Sequence, residues 1–213
     1  MVSTALALLV LALPRLHESP LGYTIELPAG FNEDARLPVG ETGAAGPARR
    51  GGRAVIDAAF SDVATGGRES LFTSVVDADL PSGGSATTEL AALTLDWAEQ
   101  RLGGQFELQW VDRLGTTAGR AVEVAGRLRQ PREGGDPDDH ALLVAFWPFG
   151  RGYLACVASV PADRFALEGP LLEQAFRTLR IRKPPRSSRG ILGALLGAAL
   201  GIGLVILVRR RGR

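Results

Sequence analysis

The chain reads as an α+β domain, an antiparallel β-sheet with helices packed on it, followed by one C-terminal helix of membrane-spanning length. Three observations predict this. Short segments with period-two apolar alternation recur between residues 21 and 160 and are bounded by Gly, Pro and Asp clusters, the mark of antiparallel strands. Residues 85–102 switch to a helical period, and a second helical stretch closes the domain. Finally, Ile191 to Val208 is eighteen residues without a charge or a strongly polar group, roughly 27 Å of helix at about 1.5 Å per residue.

In chain order, ALALLVLAL (5–13) is too short to span a bilayer but has the size of a signal h-region, with Val10 and Ala12 as small residues before a cleavage point. No Lys or Arg precedes it, so a buried first strand is the competing reading. LGYTIELP (21–28) places Tyr23, Ile25 and Leu27 on one face and ends at Pro28, as a strand. Residues 35–53 have loop composition. AVIDAAF (54–60) and SLFTSVV (70–76) form a hairpin that turns at Gly66-Gly67. The helix 85–102 carries Leu90, Leu93 and Trp97 on one face, with Ser85 as its cap and Gly103-Gly104 as its stop.

Alternation then resumes. FELQWVDR (106–113) points Phe106, Leu108 and Trp110 inward. GRAVEVAGRLR (119–129) points Val122, Val124 and Leu128 inward and Glu123, Arg127 and Arg129 outward. ALLVAFW (141–147) and GYLACVASV (152–160) are apolar on both faces and predict central strands covered on both sides. A helix over about 171–179 follows Pro170, and IRKPPRSSRG is a stiff spacer.

Charge must be divided along the chain. Of 24 basic residues nine lie from Arg180 onward, where there is no acid, which leaves 15 against 23 acidic residues before it, a net of −8. An acidic folded part excludes a nucleic-acid partner, which requires a basic patch. The helix 191–208 is flanked by Arg189 on one side and by Arg209, Arg210, Arg211 and Arg213 on the other, so the lipid bilayer is an expected partner. Both flanks are basic, so orientation rests on the signal-like N-terminus, which favours an exported domain and a cytoplasmic tail. Gly193, Gly197 and Gly201 fall on one helix face and would admit a second helix, a route to homo-oligomers. The expected organisation is a signal and lead (1–19), the domain (20–182), the spacer (183–190), the membrane helix (191–208) and a basic tail (209–213).

Candidate chemistry is sparse. Cys156 lies mid-strand among apolar residues, and His17 and His140 are the two histidines, so a thiol–imidazole pair would have to be His140 with Cys156. No nucleophile elbow, zinc-protease helix or P-loop motif occurs, and no cofactor is expected. The loop EGGDPDDH (133–140) gathers Glu133, Asp136, Asp138 and Asp139, oxygen ligands of the kind calcium takes, though without EF-hand spacing.

The opening LGYTIELPAGF, with Gly22, Tyr23, Leu27, Pro28, Gly30 and Phe31, and the closing AFRTLRI (175–181) resemble the superfamily that includes the extrinsic photosystem II subunit PsbP, the Mog-type Ran-binding proteins and the bacterial DcrB-like proteins. The likeness follows element order over most of the domain and specific residues at its two ends. It implies an α/β/α sandwich and a non-enzymatic domain that docks on other proteins, and it carries no functional residue that transfers by position. With the termini, it gives the expectation of a single-pass protein of the inner membrane, with an extracytoplasmic domain that serves an unidentified envelope partner as an interaction or assembly factor. The alternatives are an envelope module that binds a small ligand or metal between helix 85–102 and the sheet, and a tail-anchored protein facing the cytoplasm.

Overall fold

The two segments that are apolar on both faces lie side by side in the middle of a seven-stranded antiparallel sheet. The computed structural model describes residues 14–34, 39, 46–48, 52–62, 64–132 and 134–182. In chain order the strands are β1 (Arg15–Glu18), β2 (Tyr23–Leu27), β3 (Phe31–Glu33), β4 (Arg53–Asp62), β5 (Ser70–Asp77), β6 (Gln105–Thr116), β7 (Gly119–Gln130), β8 (Asp138–Phe149), β9 (Gly152–Pro161) and β10 (Arg180–Ile181). The large sheet has the order β3-β4-β5-β9-β8-β7-β6. Helix α1 (Ala86–Trp97) precedes β6, and helix α2 (Phe165–Thr178) precedes β10.

Alternation along β8 and β9 divides the interior into two cores, because successive side chains leave a strand on opposite faces. On one face Leu143, Trp147 and Cys156 meet Leu172 and Phe176 of α2 and Tyr23, Ile25 and Leu27 of β2. On the other, Val144, Phe146 and Tyr153 meet Leu90 and Trp97 of α1. The Trp147 and Phe176 rings pack edge to face at 6.0 Å.

One sheet was expected, and there are two: β1-β2-β10 forms a separate three-stranded sheet. The chain turns at Pro28–Gly30, where Gly30 has φ 93°, so β2 leaves the large sheet and pairs with segments from the two ends of the domain. Residues 15–18 were expected in the lead before the domain; they form β1, paired from Arg15 with Leu27 to Glu18 with Thr24.

Two further differences concern helices. Beyond α1 the chain widens into a π turn over Ala98–Leu102 before Gly103, at φ 72°, ends it. Ser85 occupies the cap position, but its hydroxyl donates to Glu89 Oε1 at 2.7 Å instead of receiving a backbone N–H. Helix α2 starts at Phe165 and runs through Pro170, which was expected to precede it. Gly169 makes room here, since a Cβ would meet the Phe165 ring at 2.7 Å, while Pro170 faces solvent and leaves one helical hydrogen bond unmade.

The membrane expectation is corrected. Among the described residues no helix is long and apolar enough to cross a membrane. The expected helix 191–208, its glycines Gly193, Gly197 and Gly201, and the flanking Arg189, Arg209, Arg210, Arg211 and Arg213 lie outside the described residues, as does the apolar block 5–13. The bilayer partner, helix-mediated oligomerisation, the signal peptide and the inner-membrane location all rested on these segments. Among the described residues no spanning helix carries them.

Candidate functional site

Two polar constellations interrupt the core facing α2. The first joins the sheets. A β-bulge between Ile56 and Ala58 adds Asp57 to β4, and the Asp57 carboxylate reaches the small sheet. Its Oδ2 accepts hydrogen bonds from the Ser19 hydroxyl at 2.6 Å and from the Tyr23 phenol at 2.5 Å, and the phenol lies 2.5 Å from the Thr73 hydroxyl. Burial, then the Asp57 charge, holds the phenol protonated far beyond its ordinary range. His17 packs on Phe60 with ring centroids 4.9 Å apart, and burial lowers its pKa against the opposing pull of Asp57 and Glu33. The hydroxyls and the carboxylate satisfy one another, so this network fastens the small sheet to the large one. Tyr23→Phe removes a buried hydrogen bond to a carboxylate and is expected to cost about 2 kcal/mol, measured as a lower urea midpoint at unchanged slope.

The second constellation lies where α2 crosses β6 and β7. Glu123 is 2% exposed, and among the described residues its Oε1 has no hydrogen-bond partner. It was expected to point to solvent, but both faces of β7 are covered, and between Ala121 and Ala125 it faces α2. A pocket of about 360 Å³ opens over it, walled by Trp110, Asp112, Arg113 and Leu114 of β6 and by Glu173 and Arg177 of α2. Arg177 Nη2 pairs with Glu173 Oε2 at 3.4 Å, and Asp112 Oδ1 accepts the Arg113 N–H at 2.6 Å. Thr117, in the turn after β6, donates its N–H and hydroxyl to the Arg177 carbonyl at 3.2 and 2.9 Å, which fixes the end of α2 over the pocket. Burial, with the Glu173 charge second, pushes the Glu123 carboxyl up to about 7, and Arg177 offsets this only in part.

A bulge between Leu108 and Trp110 brings Trp110 to this site. Phe106 packs in the α1 core, Trp110 packs toward α2, and Leu108 is left 43% exposed, so the three do not share a face as alternation predicted. Beside the pocket, the outer face of α2 is apolar: Leu167 is 69% and Leu171 51% exposed, with Pro170 next to them. The strip is bordered by the ion pairs Arg164–Glu168 and Arg177–Glu173.

The metal expectation is corrected. Asp139 is held by Arg127 through two hydrogen bonds, which lowers its pKa, and Asp138 pairs with Arg132 at 3.5 Å. Both residues belong to β8, where adjacent side chains diverge. Asp136 is exposed and Glu133 lies outside the described residues. Among the described residues no three metal-ligating side chains converge, on this loop or between α1 and the sheet.

Cys156 and His140 do not meet. The thiol is fully buried in the α2-side core, and burial raises its pKa, which leaves it unreactive. His140 Nδ1 instead lies 3.2 Å from the Ser159 hydroxyl, and among the described residues no carboxylate hydrogen-bonds to its Nε2, so a base oriented by a third group is not assembled there.

No protein-family model matches the chain, and no curated protein matches it in sequence. Solved structures do match. The cyanobacterial PsbP (CyanoP) of Synechocystis sp. PCC 6803 aligns with a TM-score of 0.53 at 15% identity, over 80% of this chain and 93% of that one. The Saccharomyces cerevisiae Ran-binding protein Mog1p aligns at 0.44 and 14% identity, over 79% and 96%. LpqN of Mycobacterium tuberculosis, described as involved in cell envelope biogenesis, aligns at 0.41 and 14%, over 80% and 90%. The likeness to CyanoP shows the fold alone, an α+β sandwich of the PsbP-like kind.

Proposed function

We propose that this domain is a non-catalytic binding module of the PsbP-like group that docks another protein on the outer face of α2. The exposed pair Leu167 and Leu171 carries the reading. With Pro170 they form an apolar centre inside a rim of ion pairs, the arrangement of a protein interface, and a helix that faced only water would gain nothing from it. The occupant is an apolar segment of a second protein, which would cover the leucines and leave the rim in water.

A photo-crosslinking residue placed at Leu171 in the cell of origin is expected to give one discrete adduct with another protein, absent when the residue is placed at Glu107 on β6. Leu167→Glu should abolish the adduct with the thermal midpoint unchanged, since both leucines are exposed. No adduct, equal adducts at both positions, or an adduct of twice the chain mass would overturn the reading.

A further inference from the structure

The Glu123 pocket adjoins the α2 strip across the Arg177–Glu173 pair, and its own chemistry identifies an occupant. A buried carboxylate oxygen without a partner costs the fold far more than a neutral group in the same place. Glu173 is paired with Arg177 and Asp112 accepts the Arg113 N–H, while Glu123 Oε1 is the buried side-chain oxygen of the lining that has no hydrogen-bond partner among the described residues. That space, about 360 Å³, exceeds what a water or a bare ion fills, and Trp110 and Leu114 give it an apolar wall. A bare divalent ion would meet carboxylates already engaged by the Arg177 guanidinium and by a backbone N–H, a poor ligand set. An arginine side chain suits every feature: its planar head takes two hydrogen bonds from a carboxylate, stacks on an indole face, and is joined to an apolar stem.

We propose that this pocket is a socket for the guanidinium of an arginine carried by a partner polypeptide. The socket does not depend on the α2 strip being the docking face, and each can fail without the other. Binding joins the incoming N–H donors to the Glu123 carboxylate in a charge-assisted pair, with Trp110 over the guanidinium plane. The charged groups acting on Glu123 are Glu173 and Arg177 from α2 and Asp112 from β6.

The full chain, labelled with ¹⁵N, is titrated with acetyl-Leu-Arg-Leu-amide and with the same peptide carrying citrulline, which keeps the shape and removes the charge. The arginine peptide is expected to shift the Trp110 indole N–H saturably, assigned by its loss in Trp110→Phe, and the citrulline peptide to bind at least tenfold more weakly. Affinity should rise about tenfold from pH 6 to pH 8 as Glu123 ionises. Glu123→Gln should remove both the charge preference and the pH dependence with the backbone spectrum otherwise intact. Equal binding of the two peptides, undiminished binding to Glu123→Gln, or no shift at Trp110 would each overturn the socket. Agmatine binding in place of the peptide would overturn its assignment to a polypeptide partner.

Discussion

Gly152→Ala is expected to destabilise the domain by about 3 kcal/mol or more, a fall in thermal midpoint of roughly 10 °C. Gly152 opens β9, and a Cβ there would lie 1.9 Å from the Val76 carbonyl oxygen and 3.0 Å from its carbon. The obstacle is backbone, held by the β5–β9 pairing of Val76 with Tyr153, so no side chain can turn aside to relieve it. The strand must move, and it is the central strand of the large sheet, through which both cores are joined. Gly150, two residues earlier, is the control. It sits at φ 62° with nothing within 4 Å of its Cβ position, in the turn closed by the Phe149–Gly152 pair. Its replacement by alanine carries only the left-handed backbone cost, about 1 kcal/mol. Equal losses at the two positions in thermal unfolding would show that β9 adjusts and that the close approach to β5 is not what requires glycine.

The contrast between these glycines shows what could be read in the sequence. The two-residue turn at 150–151 and the doubly apolar runs on either side are local signals, and they place β8 and β9 at the centre of the sheet. Tyr23, Ile25 and Leu27 alternate as read, and all three are buried. What escaped were features made by register and by pairing between distant segments. A bulge leaves no fixed residue signature, so the change of face between Phe106 and Trp110 was invisible, as was the addition of Asp57 to β4. Arg15–Glu18 has no alternation of its own and becomes a strand only because β2 offers it a partner. The acidic loop failed for a related reason. Composition gathered the carboxylates, but the sheet brings Arg127 opposite Ala141, two residues from Asp139, and that arginine takes the charge a metal would have needed. Glu123 was misplaced because alternation assumes one wet face, and β7 has none at that point.

Glu123→Gln is expected to raise stability at pH 8 by about 2–3 kcal/mol more than at pH 4. In the unfolded chain this carboxyl loses its proton near 4.5, and in the fold it holds the proton up to about 7. Between those values the unfolded state binds fewer protons, so rising pH favours unfolding, and stability falls from about pH 4.5 to about pH 7 and is level beyond. The difference corresponds to about 3 kcal/mol when fully developed. Other groups act in the same interval: Glu69, raised by burial, in the same direction, and His17, lowered by burial, in the opposite one. Both remain in the variant, so they cancel in the difference between the two urea-derived stability curves. A flat difference from pH 4 to pH 8 would mean that Glu123 is solvated or paired, and would remove the basis of the socket as well. A rising difference together with lost arginine binding would separate two roles that a truncation cannot. Glutamine keeps the shape and relieves the fold of a buried charge, so a variant that is more stable at pH 8 and no longer prefers arginine over citrulline can have lost that preference only through the charge itself.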